Sequence, residues 1–200
     1  MILVSLEQPS VHAVSLEQAK AHLRVDHANE NDLIDAYVKA VNAEVETFLG
    51  RALITQRWAL KINSAFPRTI ELPLPPCQSV QSIMYLDASG DLKTLEASDY
   101  ALSGLNGDCK AEIAPAPGKS WPRTLATAEA ITVAFTAGYP PSGESPADPA
   151  ANVPAPIKAA ILELVATRYA YRESVTAGQG FSSLPISARS ALDDFRVWGF

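Results

Sequence analysis

Excess basic charge is the first thing this chain lacks. Lys and Arg number 16 against 22 Asp and Glu, leaving a net charge of −6 and a pI near 5.1. A protein whose main work is gripping nucleic-acid phosphates shows a basic stripe instead. Trp58, Trp121 and Trp198 are not interleaved with a Lys/Arg patch, as a platform for single strands would need. Cysteine is also scarce. Cys77 and Cys109 are the 2 present, and neither belongs to a CxxC pair or a His/Cys zinc spacing. Two free thiols are expected, with a Cys77–Cys109 disulfide the alternative that the spacing leaves open. No apolar run approaches the ~18 residues of a membrane span, and MILVSLEQP lacks the basic start of a signal peptide.

Catalytic motifs are missing too. There is no GxSxG, Walker loop, GxGxxG or HExxH. His22 and Asp26 stand four apart, so they could meet on a helix face, but no nucleophile accompanies them. His12, His22 and His27 have no Asp/Glu spacing that makes a recognisable metal site. Asp87, Ser89, Gly90 and Asp91 lack the closing acid of a twelve-residue calcium loop and read as a hairpin turn. No cofactor and no catalysis are expected. The rival reading, an enzyme or ligand-binding protein, would use His22 or the hairpin from Tyr85 to Asp91.

What is present is a core. The chain has 200 residues, 48% of them hydrophobic, enough for one domain or a domain with a sizeable insertion. Residues 1–14 read as an extended lead-in. Ser15 and Gln18 have capping-box spacing, which predicts a helix to about Arg24. A second helix is expected from Asn31 or Asp32 to Leu49. Ile34, Tyr37, Val38, Val41, Val45 and Phe48 keep its period, and Gly50 supplies a left-handed stop. Short strands with turn signals follow, at 54–62, 69–72, 80–87, 92–95, 100–102, 109–114 and 130–135. The stretch 140–156 is a polar loop. Pro154 and Pro156 then open a long helix to Glu173, because proline has no amide to lose in a first turn. Ile157, Ala160, Ile161, Leu164, Val165 and Arg168 recur along one face of it. Ser187 reads as the N-cap of a short last helix, from Ala188 to about Phe195.

The expected fold class is therefore α+β. A helical body, 1–52 and 153–200, holds two N-terminal helices, one long helix and a short terminal one. A small antiparallel β module, 53–140, is inserted in it, and 141–152 is a loop. Behind a linker with Gly178 and Gly180, expected to be mobile, come Leu184, Leu192, Phe195, Val197, Trp198 and Phe200. Large apolar side chains at a chain end are costly to expose. They fold back on the core or dock on a partner, and the residue types alone leave both open.

Several segments together resemble a known family. SLEQAKAHLRVD (Ser15 to Asp26) is similar to the opening helix of phage head–tail connector, or adaptor, proteins of the HK97 gp6-like and phiE125 gp8-like type. NDLIDAYVKAVNAEVETFLGRALITQRWAL, LPLPPCQSVQSIMYLDASG, FTAGYP, VPAPIKAAILELVATRYAYRE and LPISARSALDDFR follow in the phiE125 gp8-like order. The chain also resembles the adaptor of a gene-transfer agent, a domesticated phage-like particle.

The resemblance implies a virion structural protein at the portal vertex, made in the cytoplasm of the host bacterium. Such proteins form a ring, usually dodecameric, under the portal protein. They extend the DNA channel and give the stopper or tail proteins a surface to join. A stopper or tail-side completion protein of the same particle is the alternative. DNA is expected to pass without specific binding, which suits an acidic chain, and no membrane is involved. The portal-docking arm would then carry Leu184, Leu192, Phe195, Arg196, Trp198 and Phe200. Ring closure needs two different surfaces per subunit. Glu44 and Glu46 would supply one, and Arg168, Tyr169, Tyr171 and Arg172 the other.

Overall fold

A computed structural model describes residues 1–143, 147–171 and 186–198. The first helix, α1 (Leu16–Leu23), starts at a complete capping box. Ser15 Oγ accepts from the Gln18 amide at 3.1 Å, and Gln18 Oε1 accepts from the Ser15 amide at 2.9 Å. Arg24 closes it in the left-handed region at φ 58°. The second helix, α2 (Asn31–Leu49), ends at Gly50 with φ 65°, and the Gly50 amide bonds the Glu46 carbonyl. A side chain at this φ would strain the turn, so glycine fits. On α2, Ile34, Val38, Val41, Val45 and Leu49 are buried. Asn42 sits among them because its side-chain oxygen accepts the Ala13 amide at 3.1 Å, which satisfies a polar group that would otherwise be costly inside.

The long helix is α3 (Ala155–Ala170), shorter than expected at its end. Ile157, Ala160, Ile161, Leu164 and Val165 are all buried, while Arg168 at the end of the stripe is only partly so. The last helix, α4 (Ile186–Asp193), packs on α3. Ser187 therefore lies inside α4 rather than capping it. The expected linker, 174–183, lies outside the described residues. These helices form one compact unit, Ser10–Ile54 with Pro141–Phe200.

The other unit, Met1–Pro9 with Thr55–Pro140, is built of strands. They are β1 (Ile2–Glu7), β2 (Gln56–Ile62), β3 (Ile70–Leu72), β4 (Cys77–Leu86), β5 (Leu92–Thr94), β6 (Tyr100–Ser103), β7 (Ala111–Pro115) and β8 (Ile131–Ala137). The first segment corrects the expectation. Residues 1–9 are not a lead-in to the helical body, because β1 pairs β2 antiparallel, Ile2 opposite Lys61 and Val4 opposite Ala59. The strands make two sheets. Five run in the order β1-β2-β8-β4-β5, and three in the order β3-β7-β6.

The central pairing, β2 to β8, is unbroken from Gln56–Ala137 to Ile62–Ile131. Alternation puts Leu60, Ile62, Ile131, Val133 and Phe135 on one face, and all are buried. Each such side chain contributes about 1.5–3 kcal/mol by leaving water. The turn between β4 and β5 is held by Asp87. Its Oδ1 accepts the Ser89 amide at 2.9 Å and the Asp91 amide at 3.0 Å. The Asp87 carboxylate thus serves the hairpin, as local side-chain bonding to the backbone does in turns.

Candidate assembly surfaces

The C-terminal segment answers the question of fold-back for most of its residues. Leu192 and Ala188 are fully buried in the helical unit. Leu192 is thus a core residue, not an exposed anchor, since α4 turns it inward against α3. After α4 the backbone returns to the end of α2. The Val197 amide donates to the Leu49 carbonyl at 2.8 Å. Arg51, only 4% exposed, donates from Nε to the Phe195 carbonyl. The Arg196 guanidinium carbon lies 4.8 Å from the Phe48 ring centroid and 4.4 Å from that of Trp198. Cations are held over aromatic faces by the ring quadrupole.

Trp198 is left 60% exposed. Phe195 and Arg196 are half-buried. Leu184 and Phe200, the other two expected docking residues, lie outside the described residues. Nothing in the sequence marked the receiving site of Phe48, Leu49 and Arg51. The burial of Arg51 just past the helix stop shows only in the fold.

Of the residues expected to meet a neighbouring copy, Glu44, Glu46, Arg168 and Tyr169 are engaged within the chain. Arg168 and Glu44 form an ion pair that ties α3 to α2. Their side chains are 40% and 31% exposed, so the pair is partly solvent-screened and worth about 0–1 kcal/mol. Glu46 Oε1 accepts the Leu53 amide at 2.7 Å, capping the turn that follows α2. The Tyr169 hydroxyl donates to Glu30 Oε2. Tyr171 follows the end of α3 at 57% exposure. Arg172 lies outside the described residues.

The histidines do not converge. His22 and His27 are exposed, and His27 Nε2 lies 4.0 Å from Glu30 Oε2. Burial pushes the pKa of His12 down, opposed by the Asp35 carboxylate and aided by the Lys39 ammonium. Among the described residues, no group of three or more His, Cys, Asp or Glu side chains could hold a metal ion. No helix among them is long and apolar enough to cross a membrane. Both cysteines are free thiols, Cys77 buried and Cys109 exposed. Burial pushes the Cys77 thiol up to about 11.

Residues 13–85, from just before α1 to within β4, match the family model of phage gp6-like head-tail connector proteins. Over this segment the resemblance read from the sequence is borne out. The fold itself is shared over the whole chain with proteins of gene transfer agent particles. A chain of the virion of a native particle is 20% identical with a TM-score of 0.78. A chain of the neck of an empty particle, determined with C6 symmetry, is 21% identical with a TM-score of 0.77. A chain of the neck of a native particle, determined with C12 symmetry, is 20% identical with a TM-score of 0.69. Each alignment covers 100% of this chain and 97% of the other. No curated protein matches the chain in sequence.

Proposed function

We propose that this protein is a head–tail connector subunit of a tailed phage or gene transfer agent particle. It sits at the portal vertex as one member of a ring and joins head to tail. The observation that carries this reading is the connector-family match over 13–85, embedded in a fold that neck proteins share along their length. The twelve-fold order expected of such rings accords with the C12 symmetry of one related neck.

The role is structural, without catalysis. The chain is a wall that DNA passes, and its net charge of −6 offers phosphates little to hold them. Its portal-facing element is the C-terminal segment. Trp198 is the exposed aromatic among the described residues there, of the kind that anchors interfaces, while Leu192 keeps the segment's base in the core. Tyr171, 57% exposed past the end of α3, adds register more than affinity.

The test is genetic and morphological. Cells producing the particle without this chain should yield DNA-filled or leaking heads that carry no tails. Tailed, infective or gene-transferring particles from such cells would refute the connector role. The stopper reading separates from the adaptor reading by cross-linking in intact particles. Trp198 should link to portal subunits in an adaptor, and to tail subunits in a stopper.

A further inference from the structure

Among the described residues the five-stranded sheet is open at both ends, since β1 and β5 each pair on one side only. Its register sorts the side chains of the inner strands into two faces. Leu60, Ile62, Val133, Phe135 and Ile83 point to the buried one. Apart from Ala59, Ala134 and Met84, the outer face of β2, β8 and β4 shows Arg57, Lys61, Thr132, Thr136, Ser79 and Ser82. Charged or short polar residues are what a water-facing face should carry.

β1 breaks that rule. Ile2 and Val4 stand opposite Lys61 and Ala59, on the outer face, and Leu6 follows at the register shift between Ser5 and Glu7. They are 49%, 36% and 52% exposed. A six-residue edge strand with neither Lys nor Pro is a template for another strand, and proteins usually blunt such edges. At the far edge, Leu92 of β5 stands opposite Leu86, and Thr94 opposite Met84. Met84 faces outward with Thr132, so Leu92 is on the outer face too, 66% exposed.

We propose that the β1 edge of one copy receives the β5 edge of the next, so that the sheet continues from subunit to subunit. This rests on the ring reading above. A second copy fits because the two free edges belong to one sheet and present aliphatic side chains on the same face. Joining them covers Ile2, Val4 or Leu6 with Leu92 and leaves Arg57 and Lys61 in water. A ring needs a heterologous contact between two different surfaces, and the two edges are such a pair. Successive strands alternate in direction, so β1 and β5 run the same way and the joint is a parallel one. Pairing of β1 with β1 would be self-complementary and would close a dimer instead.

Cysteine cross-linking in assembled particles tests this. In a Cys109→Ser background, each of Ile2→Cys, Val4→Cys and Leu6→Cys is combined with Leu92→Cys or Thr94→Cys. These positions are exposed or near a strand edge, where substitution is tolerated. Mild oxidation of purified particles should give a ladder of covalent oligomers for at least one combination, and none for the variants with one introduced cysteine beside the buried Cys77. Dimers from Val4→Cys alone would overturn the proposal in favour of β1–β1 pairing. So would the absence of any ladder in particles that contain the chain. Particles that lack the chain altogether would contradict the connector reading as well, which keeps the two failures apart.

Discussion

The Val197 amide donates to the Leu49 carbonyl, 2.8 Å away. Leu49 is the last residue of α2, and its carbonyl is one of those a helix end leaves without a partner. The C-terminal segment therefore completes α2, and its side chains divide into two kinds. Leu192 belongs to the core; Trp198 does not. Leu192→Ala should lower the unfolding free energy by about 2–5 kcal/mol, the usual cost of emptying a buried leucine site. Trp198→Ala should cost about 1 kcal/mol or less, the scale of an exposed cation–π contact, yet reduce incorporation into particles. Urea unfolding of the isolated chain and quantitation of the chain in particles check the two halves. Equal destabilisation by both substitutions would mean that Trp198 serves folding and not docking.

Arg168 and Glu44 pair within the chain. A double-mutant cycle with Arg168→Ala and Glu44→Ala on the isolated protein should therefore give a coupling of about 1 kcal/mol or less, but above zero. The coupling should shrink in high salt. If it is nil in the isolated chain and emerges only on assembly, the pair forms between neighbours instead.

His12 makes stability depend on pH. Its folded pKa lies below the ordinary histidine value of 6.5, because burial disfavours the cation more than Asp35 restores it, and Lys39 pushes the same way as burial. The neutral form is the one the fold prefers. Its stabilisation is complete above about pH 6.5 and is lost as pH falls through the folded value. Urea midpoints measured from pH 7.5 down to pH 5 should decline, and His12→Gln should flatten the decline. An unchanged slope in His12→Gln would assign the effect to other groups.

Much of the helical unit was legible because its signals are local. Ser15 and Gln18 cap α1 through their own spacing, Gly50 stops α2 by its φ, and Pro154 and Pro156 precede a stripe that is buried as its period implied. β1 was harder to read. Ile2, Leu3, Val4 and Leu6 are all apolar, and of these only Leu3 is half-buried, so alternation pointed to no sheet face. The assembly surfaces were least legible. Glu44 and Arg168 have the chemistry of an interface, and only tertiary packing showed them 124 positions apart in sequence yet paired. Leu192 and Trp198 likewise look alike as apolar side chains until α4 turns one of them inward.

The two thiols should separate by reactivity. Burial raises the pKa of Cys77 to about 11 from the ordinary thiol value of 9.0, and only the thiolate reacts. A maleimide or disulfide reagent near pH 8 should modify Cys109 alone in the native protein, and both cysteines in urea. Because the neutral Cys77 thiol is favoured in the fold, its stabilisation is fully present below pH 9. It falls as pH rises from about 9 toward 11. Rapid modification of Cys77 in the native state would mean that the end of β4 opens readily.

The central claim is a ring of this chain between head and tail. Electron microscopy of intact particles, reconstructed at the portal vertex, measures it most directly. The account predicts density for the α2–α3 unit repeated around the channel on the tail side of the portal, with the segment at Trp198 reaching a portal subunit. A portal vertex in which this chain is absent, or a particle that carries it only along the tail or in the capsid shell, would contradict it.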